Sequence, residues 1–294
     1  MGTATIAVVT CLAYADLDPD LPLLVDALRE AGLAAEPVAW DAEAPGWERF
    51  DLAVVRSAWD YSERLGEFLA WADATARVTR LWNPAPVVRW NSDKRYLLEL
   101  AGRGIPVAPT RILEPGGPFE QGDLDHPDGV VVKPAVSAGA RDTARYLPGR
   151  ASDAARHARM LLDQGRAVVV QPYLPLVAEG ERALVFVDGD FSHAIRKGPV
   201  LTEPGVIDNL RTPHPDLVAH QPTGAELRTA RAALAAAPSA EGLLYARVDL
   251  ALDGAREPVV MELELIEPNL FLGYAPQGPE RLVAAVAARA ATGR

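Results

Sequence analysis

The segment that most restricts how this chain can fold lies near its C-terminus. It reads Tyr245-Ala246-Arg247-Val248-Asp249-Leu250-Ala251-Leu252, then Asp253-Gly254, then Val259-Val260-Met261-Glu262-Leu263-Glu264-Leu265. Side chains alternate faces along a strand. The first run therefore divides into Arg247, Asp249 and Ala251 against Val248, Leu250 and Leu252. The second divides into Glu262 and Glu264 against Val259, Met261, Leu263 and Leu265. Asp253-Gly254 supplies a hairpin turn. With Leu252 opposite Val259, Asp249 falls opposite Glu262 and Arg247 opposite Glu264. The apolar faces then coincide, and a one-residue slip would separate them. Such a hairpin needs another layer over its apolar face, and it gathers three carboxylates and one arginine on the other.

Like charges opposed across a sheet are destabilising, and one arginine cannot neutralise three acids. A solvated polar face is the ordinary alternative for an edge hairpin. A hard divalent cation resolves the conflict better: Mg²⁺ takes oxygen ligands, a few carboxylates at most, and completes its shell with phosphate oxygens. Asp249, Glu262 and Glu264 are thus the expected metal ligands. If phosphates are bridged, cations should approach from elsewhere. Lys94 is expected to open a helix at Asp93–Arg103, capped by Asn91 or Ser92, where backbone N–H groups already favour an anion. Lys133 ends the apolar strand Gly129–Pro134 and precedes Ser137-Ala138-Gly139-Ala140-Arg141-Asp142, small residues able to fold over a phosphate chain. Neither lysine is diagnostic alone, and the small-residue loop matches neither the P-loop nor the dinucleotide fingerprint. Their order along the chain carries the argument.

Upstream, Ile6–Val9, Pro37–Trp40 and Leu52–Val55 read as strands, with helices at Leu23–Ala31 (closed by Gly32) and Glu67–Ala76. This alternation predicts a parallel sheet with helices on its faces. Ligands sit beyond the carboxyl ends of such strands, which brings Arg56-Ser57-Ala58-Trp59-Asp60-Tyr61 towards a site. Downstream, Ala167–Gln171 reads as a strand, and Ala183–Val187 with His193–Lys197 form a hairpin through Asp188-Gly189-Asp190. Helices are expected at Ser152–Gln164, 223–237 and Glu280–Ala291. The 294 residues carry 29 Lys and Arg against 40 Asp and Glu, a net charge of −11 that opposes general nucleic-acid binding. Cys11 is the single cysteine, which excludes an intramolecular disulfide and suits a reducing compartment. With no basic leader and no apolar run of about 20 residues, the expectation is a soluble cytoplasmic protein with no membrane partner.

In this order the motifs resemble the ATP-grasp superfamily, in particular its glutathione-synthetase-like and D-alanine–D-alanine-ligase-like members, over essentially the whole chain. The resemblance implies an α/β fold, α+β in its C-terminal part, with a Rossmann-like pre-ATP-grasp domain at 1–90. It divides the remainder into grasp subdomains at 91–172 and 173–294. It implies ATP and Mg²⁺ as cofactors, with Lys94, Lys133 and Ser137 near the phosphates. Gln171-Pro172-Tyr173-Leu174 resembles the adenine hinge, with Gln171 where relatives often have Glu and backbone groups of Tyr173 and Leu174 bonding the base. Glu181 is similar to a ribose-binding acid. Arg247-Val248-Asp249 resembles the family's Arg-x-Asp, with Arg247 stabilising the transferring phosphoryl group or the oxyanion and Asp249 binding Mg²⁺. Glu262-Leu263-Glu264 is similar to its Glu-x-Asn metal motif, Glu264 standing where Asn is usual and adding a negative charge.

The reaction implied is formation of an acyl phosphate from a small amino-acid-like carboxylate and ATP, then attack by a nitrogen nucleophile. The resemblance implies that Arg182, Arg196 and Lys197 face the substrate carboxylate and γ-phosphate, Arg196 as a catalytic group. Arg56, Ser57, Trp59, Asp60 and Tyr61 would face the cleft from the N-terminal domain; Trp59 and Tyr61 could equally serve in packing. Glu267-Pro268-Asn269-Leu270-Phe271 would line the substrate end. Thr10-Cys11-Leu12, Trp90-Asn91-Ser92-Asp93-Lys94 and Ile266-Glu267-Pro268 look most like the D-cycloserine-forming cyclo-ligases, which close O-ureido-D-serine to an isoxazolidinone. Coupling of two amino acids, phosphoryl transfer to a hydroxyl, or ATP binding without catalysis are the other readings. A homodimer is common among similar ligases, though no residue here argues for one.

Overall fold

The computed structural model describes residues 3–210, 216–275 and 277–292. Its first sheet is parallel, as the alternation predicts. β1 (Thr5–Thr10), β2 (Ala34–Ala39), β3 (Leu52–Ser57) and β4 (Arg80–Trp82) lie in the order β2-β1-β3-β4. A parallel sheet covered on both sides needs apolar residues on both faces. Ile6, Val8, Leu52 and Val54 pack with Leu24 and Leu28 of α1 (Asp20–Glu30). Ala7, Val9, Ala53 and Val55 pack with Phe68 and Ala72 of α2 (Leu65–Val78). Gly32, at φ +83°, ends α1 in the left-handed conformation that glycine adopts without strain.

The next segment departs from expectation. The helix foreseen at Asp93–Arg103 begins later, as α4 (Tyr96–Gly102), after a turn containing Lys94, and a separate helix, α3 (Ala85–Asn91), precedes that turn. Asn91 therefore ends a helix instead of capping one. β5 (Arg111–Leu113), β6 (Val130–Pro134), β7 (Ala144–Tyr146) and β8 (Val168–Pro172) then form an antiparallel sheet in the order β5-β8-β6-β7. Val130, Val132, Val168 and Val170 bury one face against Ala154, Ala158 and Leu161 of α5 (Ala151–Asp163). The register pairs Val131 with Gln171 and Lys133 with Val169, which puts Lys133 and Gln171 together on the opposite face.

A third sheet runs β11-β10-β9-β12-β13, antiparallel throughout. Its strands are β9 (Glu181–Val187), β10 (Asp190–Lys197), β11 (Val218–Ala219), β12 (Tyr245–Leu252) and β13 (Pro258–Glu264). Asp188 and Gly189, at φ +53° and +81°, make the predicted tight turn of the first hairpin. Val248, Leu250, Val260 and Leu263 pack with Ala230 and Ala233 of α6 (Gly224–Ala235). The last helix, α7 (Gly278–Ala291), returns to the first sheet: Leu282 and Val286 share a core with Ile6, Val8, Val185 and Val187. Among the described residues no helix is long and apolar enough to cross a membrane.

The carboxylate hairpin has the expected register where the acids lie, Asp249 opposite Glu262 and Arg247 opposite Glu264. Towards the turn it shifts by one: Leu250 faces Val260 and Leu252 faces Pro258, leaving Met261 unpaired in a bulge. The fully buried Val260 thereby takes the core position that simple alternation gives to Met261. The connection is also longer than an Asp-Gly turn, spanning 253–257, with Arg256 at φ +65°.

β13 is an edge strand whose outer side is completed by a single parallel backbone bridge between Val107 and Val260 and, further along, by side chains. The Asn91 amide donates to the Leu263 carbonyl at 2.6 Å, and its Oδ1 accepts from Leu265 N–H at 2.7 Å. The Tyr96 hydroxyl accepts from Leu263 N–H at 2.9 Å, and Asn83 donates to the Leu265 carbonyl at 2.7 Å. Together they hold the backbone on both sides of Glu264. Asn91→Leu would strand two buried backbone groups, each costing about 1–3 kcal/mol. The expected result is a lower urea midpoint at unchanged slope, a stability loss of about 2–6 kcal/mol.

Candidate active site

The polar face of β12 and β13 is buried, not solvated. Arg247 and Asp249 are 2% and 3% exposed. Arg247 donates to Asp249 twice, from Nε at 2.9 Å and Nη2 at 3.0 Å, and also pairs with Glu264. Lys197 Nζ, from β10, lies 2.6 Å from the other side of Asp249 and 3.1 Å from Glu181. Burial works against the Asp249 carboxylate, but Arg247 and Lys197 outweigh it and hold its pKa well below the usual range. Glu264 has no such surplus of cations. Burial, with the charges of Asp249 and Glu262 outweighing Arg247, pushes its pKa up to about 7.

The second sheet and the turn before α4 supply the facing cations. Lys94 Nζ donates to the Ser137 carbonyl at 2.8 Å and hydroxyl at 3.1 Å, and pairs with Glu262 at 3.0 Å. This lysine joins the small-residue loop to the carboxylate face, and its three protons are all engaged. Lys133 differs: it is 9% exposed, and among the described residues its ammonium has no hydrogen bond or ion pair. Burial lowers its pKa; Glu262 opposes that shift and Lys94 adds to it. On the same face, Gln171 is 1% exposed, donates to the Thr110 hydroxyl at 2.9 Å and leaves Oε1 without a partner.

Among the described residues no three Asp, Glu, His or Cys side chains form a ready metal cage. Asp249 uses both oxygens on Arg247 and Lys197. Glu262 and Glu264 each engage Oε1 in one pair and are about a third and a quarter exposed, at 31% and 25%. Two accessible carboxylates fit Mg²⁺, which keeps waters and phosphate oxygens in its shell. The expected three-acid set is thus two open acids with Asp249 behind them.

Several expected contacts go elsewhere. Arg196 pairs across the ladder with Arg182, and Lys197 with Glu181. Alternation therefore places Arg196 and Arg182 on the α6 side, away from Asp249, and a strand cannot aim neighbouring residues at one site. Arg196 is exposed, while Arg182 meets Glu226 at 3.4 Å and the Gly180 carbonyl. Arg56 is buried against Asp18 at 3.0 Å and Asp20 at 3.3 Å, so it is an interior ion pair and not a free cleft residue. The Ser57 hydroxyl donates to Thr10, Asp60 accepts from the Trp40 indole at 2.8 Å, and Tyr61 packs on Phe68. The Tyr173 N–H is taken by the Gly129 carbonyl at 2.9 Å, which leaves Leu174 as the expected amide for a base. The Asn269 side chain accepts from Phe271 N–H within its own loop.

Sequence reasoning missed how the segment after β13 is held. Consecutive carbonyls from 266 to 269 each accept from a side chain. Tyr245 Oη reaches Ile266 at 2.7 Å, Trp59 Nε1 reaches Glu267 at 3.0 Å, Arg56 reaches Pro268, and Arg247 Nη1 reaches Asn269 at 3.0 Å. These donors share only their chemistry: they come from β3, the turn after it and β12, and no spacing along the chain links them. They fix Glu267 at the end of the carboxylate face. Burial and then the Glu264 charge push its pKa well above the carboxylate range.

Residues 6–83 match the family described as D-cycloserine synthetase DcsG, N-terminal domain. The cycloserine biosynthesis protein DcsG of Streptomyces lavendulae is 38% identical over 296 residues, covering 97% of this chain and 98% of that protein. The crystal structure of D-cycloserine synthetase DcsG matches with a TM-score of 0.89 at 36% identity, over 98% of this chain and 100% of that one. The structure of D-alanine–D-alanine ligase from Bacillus anthracis complexed with ATP matches with a TM-score of 0.68 at 14% identity, over 98% of each chain, and shows the shared fold. The mixed α/β architecture expected from the motifs is therefore the ATP-grasp architecture, and likeness to a curated relative extends from end to end. The chain belongs to the DcsG family of ATP-grasp ligases.

Proposed function

We propose that this protein activates the carboxylate of O-ureido-D-serine with ATP and closes the acyl phosphate to D-cycloserine. The observation that carries the ATP-dependent step is Lys133, a buried ammonium without a partner that faces the Glu262 and Asp249 charges from a different sheet. A buried unpaired cation is costly unless an anion completes it, and a phosphate chain is such an anion. The partnerless Oε1 of Gln171 on the same face suits the exocyclic amine of adenine. Residues 91–172 would then hold the nucleotide, 173–294 the acids, and 1–90 the substrate side.

In this reading the substrate carboxylate attacks the γ-phosphorus and ADP leaves. The oxygen-bound ureido nitrogen then attacks the acyl carbon, phosphate leaves with the C–O bond electrons, the nitrogen loses a proton, and a water cleaves the carbamoyl group from that nitrogen, which leaves as carbon dioxide and ammonia. Arg247, held by Asp249 and Glu264, faces the charge that develops on the transferring group. Lys94 keeps Ser137 and the loop after β6 over the phosphates. Mg²⁺ held by Glu262 and Glu264 would supply the positive charge that bridges phosphate oxygens. Lys197 orients Asp249 and is closer to the reaction than Arg196.

The test is phosphate release from Mg-ATP with O-ureido-D-serine, single amino acids and amino-acid pairs, with product masses. A phosphorus-free product lighter than O-ureido-D-serine by the elements of carbon dioxide and ammonia, with one phosphate per turnover, is expected. A coupled product would make the protein an amino-acid ligase, and a substrate that gains phosphorus would make it a kinase. Nucleotide binding with no turnover on any of them would overturn the catalytic reading.

A further inference from the structure

The charged groups of the site pair off with one acidic exception. Glu262 has Lys94, Asp249 has Lys197 and Arg247, Glu181 has Lys197, and Glu264 has Arg247. On the N-terminal side Asp60 is taken by Trp40 and Arg64, and Asp18 and Asp20 by Arg56. Glu267 is nine-tenths buried, at 9% exposure, and among the described residues its carboxyl makes no hydrogen bond or ion pair. It cannot withdraw to find one. Its own carbonyl and those of Ile266, Pro268 and Asn269 are each held by a side chain.

What surrounds it defines the ligand. Glu267 follows closely on Glu264, the last residue of β13, and Arg247 donates to the carbonyl of Asn269 just beyond it at 3.0 Å, so it borders the reacting centre; Glu264, Lys94, Glu262 and Arg247 are the charges that act on it most. Tyr61, from the N-terminal sheet, feels Glu267 before any other charge. A fixed, buried, unpartnered carboxyl selects a compact cation able to donate hydrogen bonds. With Arg247 and Lys94 on the same site, one end suits a carboxylate and the other an ammonium.

We propose that Glu267 receives the α-ammonium group of an amino-acid substrate and excludes substrates whose amine is blocked. This rests on the reading of the site as one for a small amino acid, but not on ring closure. It accounts for selection of the amine by a residue that the phosphate-handling set does not contain.

The experiment measures binding by calorimetry in the presence of Mg-ADP, using O-ureido-D-serine, D-serine and D-alanine, each beside its N-acetyl form. Wild type should bind at least one free amine and reject its acetylated form by about 10- to 100-fold, the worth of a hydrogen bond to a charged group. Glu267→Gln, which keeps the volume, should lose most of that discrimination while ADP affinity stays within about twofold, a change too small for a lost charged contact. Glu267→Asp, which keeps a carboxyl group, should retain a preference for the free amine. The proposal is overturned if no free amine binds wild type, if amine and amide bind alike, or if Glu267→Gln keeps the selectivity. It is equally overturned if the Gln variant changes only the Mg²⁺ requirement for ADP binding. Wild type that selects amines yet releases no phosphate with O-ureido-D-serine would discard cyclisation and leave Glu267 in this role.

Discussion

Glu262→Gln should give a folded, nucleotide-binding protein with turnover lower by about a thousandfold or more, roughly 4 kcal/mol of transition-state stabilisation. Asp249→Asn should lose as much turnover and a large part of its stability as well. The difference follows from what each carboxylate supports. The Glu262 side chain is 31% exposed, and its partner Lys94 keeps two acceptors on Ser137, so removing the charge leaves no orphan; about 1 kcal/mol or less is expected. The Asp249 side chain is 4% exposed and accepts from both Arg247 and Lys197. Neutralising it leaves two buried cations facing each other, and breaking a buried pair in this way costs about 3–5 kcal/mol. Urea denaturation beside phosphate release separates the two effects. Normal turnover in Glu262→Gln, or equal stability of the two variants, would refute this division of labour.

The contrast between these acids also shows where sequence pattern stops being informative. Alternation alone placed Arg247, Asp249, Glu262 and Glu264 on one face and paired them correctly, because an apolar core on the other face tolerates no slip. It could not reveal the bulge at Met261, since Val260 and Met261 are both apolar and either could fill the core position. Alternation does separate Arg196 from Lys197, and a resemblance that assigned both to the substrate had to fail for one of them. Arg56 was misplaced for a different reason. Its position after a parallel strand fits a cleft, but its partners Asp18 and Asp20 lie 38 and 36 residues away, before and within α1. Asn91 looked like a helix cap because capping is local, whereas its real partners on β13 are more than 170 residues distant. Lys133 was legible as a strand-end lysine before a small-residue loop; that it is buried and unpaired required the packing of the second sheet against the third.

That unpaired state makes Lys133→Met the most revealing single change after the acids. The ligand-free variant should be more stable than wild type and nearly inert. In the folded protein Lys133 is 9% exposed and among the described residues its ammonium has no hydrogen-bond partner, while burial and the repulsion of Lys94 outweigh the attraction of Glu262. Methionine fills a similar volume with no charge to desolvate, so a gain of about 1–2 kcal/mol is expected. The same change removes the cation meant for a phosphate, which should weaken ADP binding about 10- to 100-fold and slow turnover by about 10²–10³. The pH dependence has a definite sign. Burial holds the folded pKa of Lys133 below its ordinary 10.5, so above the folded pKa the unfolded chain carries a proton that the folded one lacks. Wild-type stability should therefore rise with pH relative to the Met variant across that alkaline window, and the gap between them should close towards pH 10.5. Thermal unfolding of both proteins from neutral pH upward, with ADP titrations at neutral pH, decides the matter. A Met variant less stable than wild type, or one that binds ADP as well, would mean that Lys133 already has its partner within the fold and that the phosphates lie elsewhere.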